Sequence, residues 1–206
     1  MEYISVAQRA EAEIVIKKSR FIGNVSPART VQEALEFISA VREKYSDATH
    51  NVYAYSVGTG VRSEKASDDG EPRGTAGYPV LEVIKKRNLT NVVCVVTRYF
   101  GGILLGAGGL IRAYGTAASL AIDKAGISRW VYHDLLFISV DYEHFGRIQR
   151  ELETRGCIIR DTAYADRVTV KSLILPDETE NLRKKISDLT SGKALVSVKE
   201  GQYVPR

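Results

Sequence analysis

The sequence predicts an α/β protein, of the α+β kind, built as two domains. Three observations carry that expectation. The run NVVCVVT at residues 91–97 is continuously apolar and β-branched, as a strand covered on both faces must be. A glycine-rich stretch and then an alanine-rich helical pattern follow it directly. Beyond Ser128 the alternation of strand and helix periods restarts in the order βαββαβ, which places a boundary near residue 129 and divides the chain into domains 1–129 and 130–206. At 206 residues the chain is long enough for each domain to bury its own core.

The first elements are two short strand-like runs, residues 14–16 and 20–23, within IVIKKSRFIG. Thr30 and Glu33 then form a capping box, and Val31, Ala34, Leu35, Ile38 and Val41 recur at helical spacing, so one face of this helix is core. Residues 52–57 alternate as a strand. The polar segment GTGVRSEKASDDGEPRGTAG, residues 58–77, reads as a long loop, and loops of that length in a compact domain are usually functional or mobile. After Pro79 a short helix ends with Lys85, Lys86 and Arg87, cations that complement its dipole. The strand at 91–97 comes next, central in its sheet. From about Gly106 the residues Leu110, Ala113, Tyr114, Ala117 and Ala121 mark one helix face, with Gly126 as its stop.

In the second domain a strand is expected at 135–141. A helix carrying Phe145, Ile148 and Leu152 ends at Gly156, and a hairpin spans 157–163 and 168–175. Asp177 is expected to cap a helix carrying Leu182, Ile186 and Leu189, and residues 194–203 close the domain as a strand. This βαββαβ order is that of the ferredoxin-like arrangement.

Composition narrows the function classes. The longest apolar runs are far short of the roughly 20 residues a membrane span needs, and the N-terminus has no signal-peptide core, so a cytoplasmic protein without membrane contact is expected. The net charge of +4 lies entirely in the first domain: residues 1–129 carry 17 Lys/Arg against 13 Asp/Glu, and residues 130–206 carry 12 of each. That bias suits an anionic partner but is no dense basic stripe. Cys94 and Cys157 lie in apolar runs without metal-ligand spacing, and His50, His133 and His144 are scattered; neither a metal nor a cofactor is expected.

The stretch TRYFGGILLGAGGLIRAYG, residues 97–115, holds six glycines between strand and helix. Bare backbone there can present free N–H groups and a helix N-terminus to an anion, with Arg98 and Arg112 flanking it. Gly101, Gly102, Gly106, Gly108 and Gly109 line such a turn, Tyr99 and Phe100 could stack on bases, and Arg73 adds a nearby cation. The alternative is that the glycines serve tight turns and close packing. No lysine follows the glycines as a P-loop requires, and the dinucleotide fingerprint would need glycine at Ile111. Asp68, Asp69 and Glu71 read as ligands for a hard metal, or else as a solvated turn or counter-charges to Arg98 and Arg112; the latter readings are simpler, because three carboxylates in four residues need further ligands to make a cage. Ser67, His50 and the aspartates form no legible triad, and no nucleophile elbow is present.

The stretches SDDGEPRGTAGYPVLEVI and VVTRYFGGILLGAGGLIRAYG closely resemble motifs of the IMPACT family, and KKSRFIG and ATHNVYAY resemble two more. The matching positions are Asp68, Asp69, Gly70, Glu71, Gly74, Thr75, Gly77, Arg98, Tyr99, Phe100, Gly101, Gly102, Gly106, Gly108, Gly109, Arg112 and Tyr114. The resemblance implies a first domain of the ribosomal protein S5 domain 2-like fold, shared with GHMP kinases. It implies a ferredoxin-like second domain similar to the last domain of elongation factor G. It further implies a translation-associated regulatory protein that binds RNA, the ribosome or a translation-related protein through the first domain, and it transfers no catalytic residue. The competing expectation is a nucleotide- and magnesium-dependent phosphoryl-transfer enzyme on the GHMP-kinase-like fold, against which the absence of that fold's usual serine pair counts.

Overall fold

The computed structural model describes residues 1–206. They form two compact units, Glu2–Trp130 with Pro205–Arg206, and Met1 with Val131–Val204. The larger unit holds β1 (Glu2–Val6), β2 (Ala10–Ile16), β3 (Ser19–Pro27), α1 (Val31–Lys44), β4 (His50–Val57), β5 (Ser63–Ser67), α2 (Gly77–Lys86), β6 (Val92–Tyr99) and α3 (Ala107–Ala125). β7 (Ile127–Val140) carries the chain onward to α4 (Tyr142–Thr154), β8 (Ile158–Tyr164), β9 (Val168–Ile174), α5 (Pro176–Leu189) and β10 (Leu195–Pro205).

The main sheet of the larger unit runs β2-β3-β6-β4-β5, antiparallel at every pairing. The unbroken apolar run of β6 is explained by its central place, since helices cover both faces. Val93 and Val95 point to one side, where Tyr53, Tyr55 and Val57 join Ala34, Ile38 and Val41 of α1. Val92, Cys94 and Val96 point to the other, where Phe21, Val25 and Val52 meet Val80 and Ile84 of α2 and the alanine face of α3. That face lies very close to the sheet: a Cβ on Gly23 would come within 2.5 Å of the Ala117 carbonyl oxygen. Each fully buried aliphatic side chain here contributes about 1.5–3 kcal/mol. α2 and α3 run side by side in the same direction, because Gly115 faces Val83 while Arg87 ion-pairs with Asp123 in the last turn of α3. Their N-termini therefore share one end of the unit.

Several elements differ from the sequence expectation. The 58–77 segment contains β5, which pairs with β4 from Tyr53↔Ser67 to Val57↔Ser63. Its SEKAS sequence carries no apolar alternation, and pairing with β4 rather than burial makes it a strand. β2 starts at Ala10, since AEAE has low strand propensity but follows the β3 register. The Thr30 side chain does accept from the Glu33 amide, but the Glu33 carboxylate reaches past Thr30 to the Arg29 N–H at 2.7 Å. Leu35, expected on the core face of α1, is exposed. α2 starts at Gly77, so Pro79 falls in its first turn, where a missing N–H costs nothing. β1 has no counterpart in the sequence reading; Tyr3 on it stacks on Trp130, whose indole N–H donates to the Val6 carbonyl.

In the smaller unit β10 pairs with β7, β7 with β9 and β9 with β8. Leu136, Ile138, Val168 and Val170 pack against Ile148, Leu152, Leu182 and Ile186 of the two helices. β7 begins at Ile127, well before the expected residue 135. α5 begins at Pro176 after Leu175, which leaves Asp177 in the first turn as a dipole partner rather than the N-cap. No helix of the chain is long and apolar enough to cross a membrane.

Candidate binding site

The acidic loop that follows β5 is held by its own carboxylates. Asp68 accepts from the backbone N–H groups of Gly74, Ala76 and Gly77 at 2.8, 3.1 and 2.8 Å, which folds the loop back and caps α2, whose own N-cap residue Ala76 offers no side chain for the purpose. Asp69, at φ 47°, accepts from the Asn51 N–H and pairs with Arg42, both at 2.6 Å. Its carbonyl accepts from His50 Nδ1 at 2.7 Å, which leaves Nε2 turned to Glu71 at 3.9 Å.

Glu71 is the hub. Only 8% exposed, it accepts from Arg98 Nη1 at 2.5 Å and from the Tyr114 hydroxyl at 2.7 Å through the same oxygen. Arg98 is 5% exposed, with its guanidinium over the rings of Phe21 and Phe100 at 5.5 and 5.4 Å. Burial, reinforced by the hydrogen bond to Glu71, pushes the Tyr114 hydroxyl far above the usual phenol range, so it remains a donor. The ring of Tyr114 meets Phe21 edge-on at 5.2 Å.

The Glu71–Arg98 pair is the counter-charge that the acidic loop was expected to supply, and it withdraws Arg98 from the place beside an anion that the glycine turn suggested for it. Val92, Cys94 and Val96 point toward α2 and α3, and Arg98 continues that period-2 face inward, where Glu71 neutralises it. Arg98 and Arg112 therefore do not share one surface. Nor do Asp68, Asp69 and Glu71 converge on a common point: one holds amides, one Arg42, one Arg98.

The glycine turn is a separate feature on the outside. A Cβ on Gly101 would lie 2.0 Å from the Lys18 carbonyl carbon, so only glycine permits this approach, and its N–H donates to Ser19 Oγ. Phe100 precedes it and Gly102, Ile103 and Leu104 follow, all exposed except for the shielded part of the Phe100 ring; Leu104 is 82% exposed. Gly106 is the N-cap of α3, and neither a capping side chain nor an acid occupies the first turn. Arg112 is exposed, and its Nη1 is the atom nearest to where a Cβ of Gly108 would stand. Next to this turn lies a cavity of about 190 Å³ lined by Ile16, Lys17, Leu105, Gly109, Arg112, Ala113 and Thr116.

Lys17 and Lys18 escaped the sequence reading. They form the two-residue connection between β2 and β3, with φ of 45° and 65°, the left-handed region such turns require and that lysine seldom adopts. The signal was visible in KKSR between two strand runs. Tyr99 turns away from the cavity, donating to Asp47 at 2.7 Å while its ring carries the Arg20 guanidinium; the bond to Asp47 raises its hydroxyl pKa. Arg73 is exposed on the acidic loop.

The molecule so described is an α/β protein whose larger unit joins a buried arginine–glutamate pair to an outward glycine turn at a helix start. Comparison with known proteins places that class in a family. The Impact N-terminal domain matches residues 17–122, which include the turn, the acidic loop and the buried pair, and a domain of unknown function (DUF1949) matches residues 138–193. The chain is 43% identical over 200 residues to the IMPACT family member YvyE of Bacillus subtilis, covering 97% of this chain and 91% of that protein. It is 31% identical over 188 residues to the IMPACT family member YigZ of Escherichia coli, with 90% and 92% covered. Protein IMPACT of Rattus norvegicus is 30% identical over 118 residues, 55% of this chain and 37% of that protein. A solved structure described as the crystal structure of a hypothetical protein superposes with a TM-score of 0.65 at 29% identity, covering 97% and 98% of the two chains. The chain belongs to the IMPACT family.

Proposed function

We propose that the chain is a translation-associated regulatory protein that binds rather than catalyses, and that its larger unit holds an RNA phosphate backbone at the start of α3. Membership of the IMPACT family supports a translation-related regulatory role at the level of the family. One observation supports the finer reading: Lys17 and Arg112, neither in an ion pair, line one cavity beside a helix N-terminus that no side chain caps. Free amides, the helix dipole and two cations attract a phosphate together. Gly102, Gly106, Gly108 and Gly109 leave the backbone open to it, and the exposed edge of Phe100 is available to a base. The phosphoryl-transfer reading is weaker, because the carboxylates it would assign to magnesium are already committed to backbone amides, Arg42 and Arg98.

The test is binding of the full chain to ribosomes by sedimentation, and to free ribosomal RNA by filter retention, across a salt series. Lys17→Ala and Arg112→Ala should each weaken binding and reduce the salt slope by about one. Unchanged affinity in the double variant would remove this site. Arg98→Ala serves as the contrast: its effect should appear in folding rather than in the salt slope.

A further inference from the structure

The smaller unit has a sheet face that its helices do not cover. Along β7, Leu136 and Ile138 point into the core with α4 and α5, so Phe137 and Ser139 point the opposite way. Phe137 is directly opposite Lys171 of β9 in the register, and the Lys171 ammonium stands 5.7 Å from the Phe137 ring centre. From β10, Lys199 reaches the same ring at 5.3 Å. One aromatic ring thus lies between two ammonium groups supplied by the strands on either side of it.

Beside the ring is a shallow depression of about 420 Å³ lined by Phe137, Ser139, Ala194, Leu195, Val196 and Ser197. Its volume exceeds that of a nucleobase. Neither lysine makes an ion pair, and the acid facing Lys171 across β8 and β9, Asp161, turns one oxygen to the Thr162 N–H. The face is therefore locally cationic around a flat apolar platform, although the unit as a whole has balanced charge.

We infer that this face binds single-stranded RNA, one unpaired base stacking on Phe137 while Lys171 and Lys199 take the phosphates on its two sides. Charge complementarity selects a polyanion. The single ring on an open sheet selects one whose bases are splayed out rather than paired. The Ser139 and Ser197 hydroxyls border the platform and can hydrogen-bond a ribose 2′-hydroxyl, which selects RNA. The site is separate from the α3 turn and stands whether or not that turn binds RNA.

The test uses the full chain carrying Lys17→Ala and Arg112→Ala, so that the other proposed site is silent, and a fluorescein-labelled ten-nucleotide oligouridylate read by anisotropy. Phe137→Ala should weaken binding at least fivefold, the low end of one base–aromatic stack, while Phe137→Tyr keeps it. Lys171→Gln with Lys199→Gln should lower the salt slope by about 1.4, two phosphates on a single strand, and this variant decides the matter if Phe137→Ala folds poorly. An RNA duplex, a DNA oligonucleotide of equal length and a polyglutamate peptide should each bind more weakly. Equal binding by any of the three, no binding of the oligouridylate by the parent, or an unchanged affinity in the Phe137→Ala and double-lysine variants would overturn the assignment.

Discussion

Arg98 Nη1 lies 2.5 Å from the Glu71 carboxylate with both side chains almost wholly enclosed, and the same oxygen takes the Tyr114 hydroxyl. The pair ties β6 to the acidic loop and, through Tyr114, to α3, so three segments distant in sequence depend on one carboxylate. Such a pair costs desolvation to bury, and removing one partner leaves the other uncompensated. Glu71→Ala is expected to destabilise the chain by about 3–5 kcal/mol in urea titration. Tyr114→Phe should cost about 1–3 kcal/mol, because it withdraws a single buried donor. A Glu71→Ala variant as stable as the parent would show that the loop is not anchored there.

Two glycines of the turn should respond oppositely to the same change. Gly101→Ala places a methyl group 2.0 Å from the Lys18 carbonyl carbon, so backbone must move and thermal stability should fall. In Gly108→Ala the new methyl meets nothing nearer than Arg112 Nη1 at 3.8 Å, inside the first turn of a helix. Stability should rise by about 0.5–1 kcal/mol, the gain of alanine over glycine in a helix. Paired melting curves read both.

Acid should loosen the β2 edge first. A hydrogen bond from Lys44 holds the Glu11 carboxyl below its ordinary 4.5, helped by one from Tyr45, and Arg20 does the same for Glu13. A carboxylate depressed in the folded state contributes stability above its unfolded pKa, and that contribution is lost as pH falls through the lower folded value. Melting temperature should therefore drop as pH falls below about 4.5, and less steeply in Glu11→Gln. Identical pH dependence in the variant would dismiss Glu11 as a source.

Thiol chemistry should separate the two cysteines. Burial alone pushes Cys94 up to about 12, whereas Cys157 is half-buried and raised less. At pH 8 an alkylating reagent should modify Cys157 first and reach Cys94 only on unfolding, measured by mass spectrometry. Equal rates in the folded chain would contradict the enclosure of β6.

The sequence made the central strand, the alanine-faced α3 and the Thr30 cap legible, because each has a local cause: β-branched residues in series, small residues at helical spacing, a hydroxyl before the first turn. β5 was not legible, since SEKAS becomes a strand only through β4. At the candidate site, the glycines and Arg112 could be picked out by spacing, but whether an arginine faces inward depends on a partner elsewhere. Glu71, 27 positions before Arg98, decides that; the acidic loop could be read as counter-charge to Arg98, but no local pattern says that Glu71 rather than Asp68 or Asp69 takes it. The Lys17–Lys18 turn was readable and passed over, because a lysine pair lacks the glycine or asparagine by which left-handed turns are usually recognised.

β2 and β5 flank the larger sheet, and in the AEAE half of β2 and in SEKAS charge and small residues stand where the inner strands carry valine. Glu11, Glu13, Glu64 and Lys65 place carboxylates and an ammonium along the two open rows of backbone polar groups. A strand from a second molecule would have to desolvate those charges in order to pair. The same residues that made these strands hard to read thus let a strongly apolar β-sheet stop at five strands instead of growing from one chain into the next.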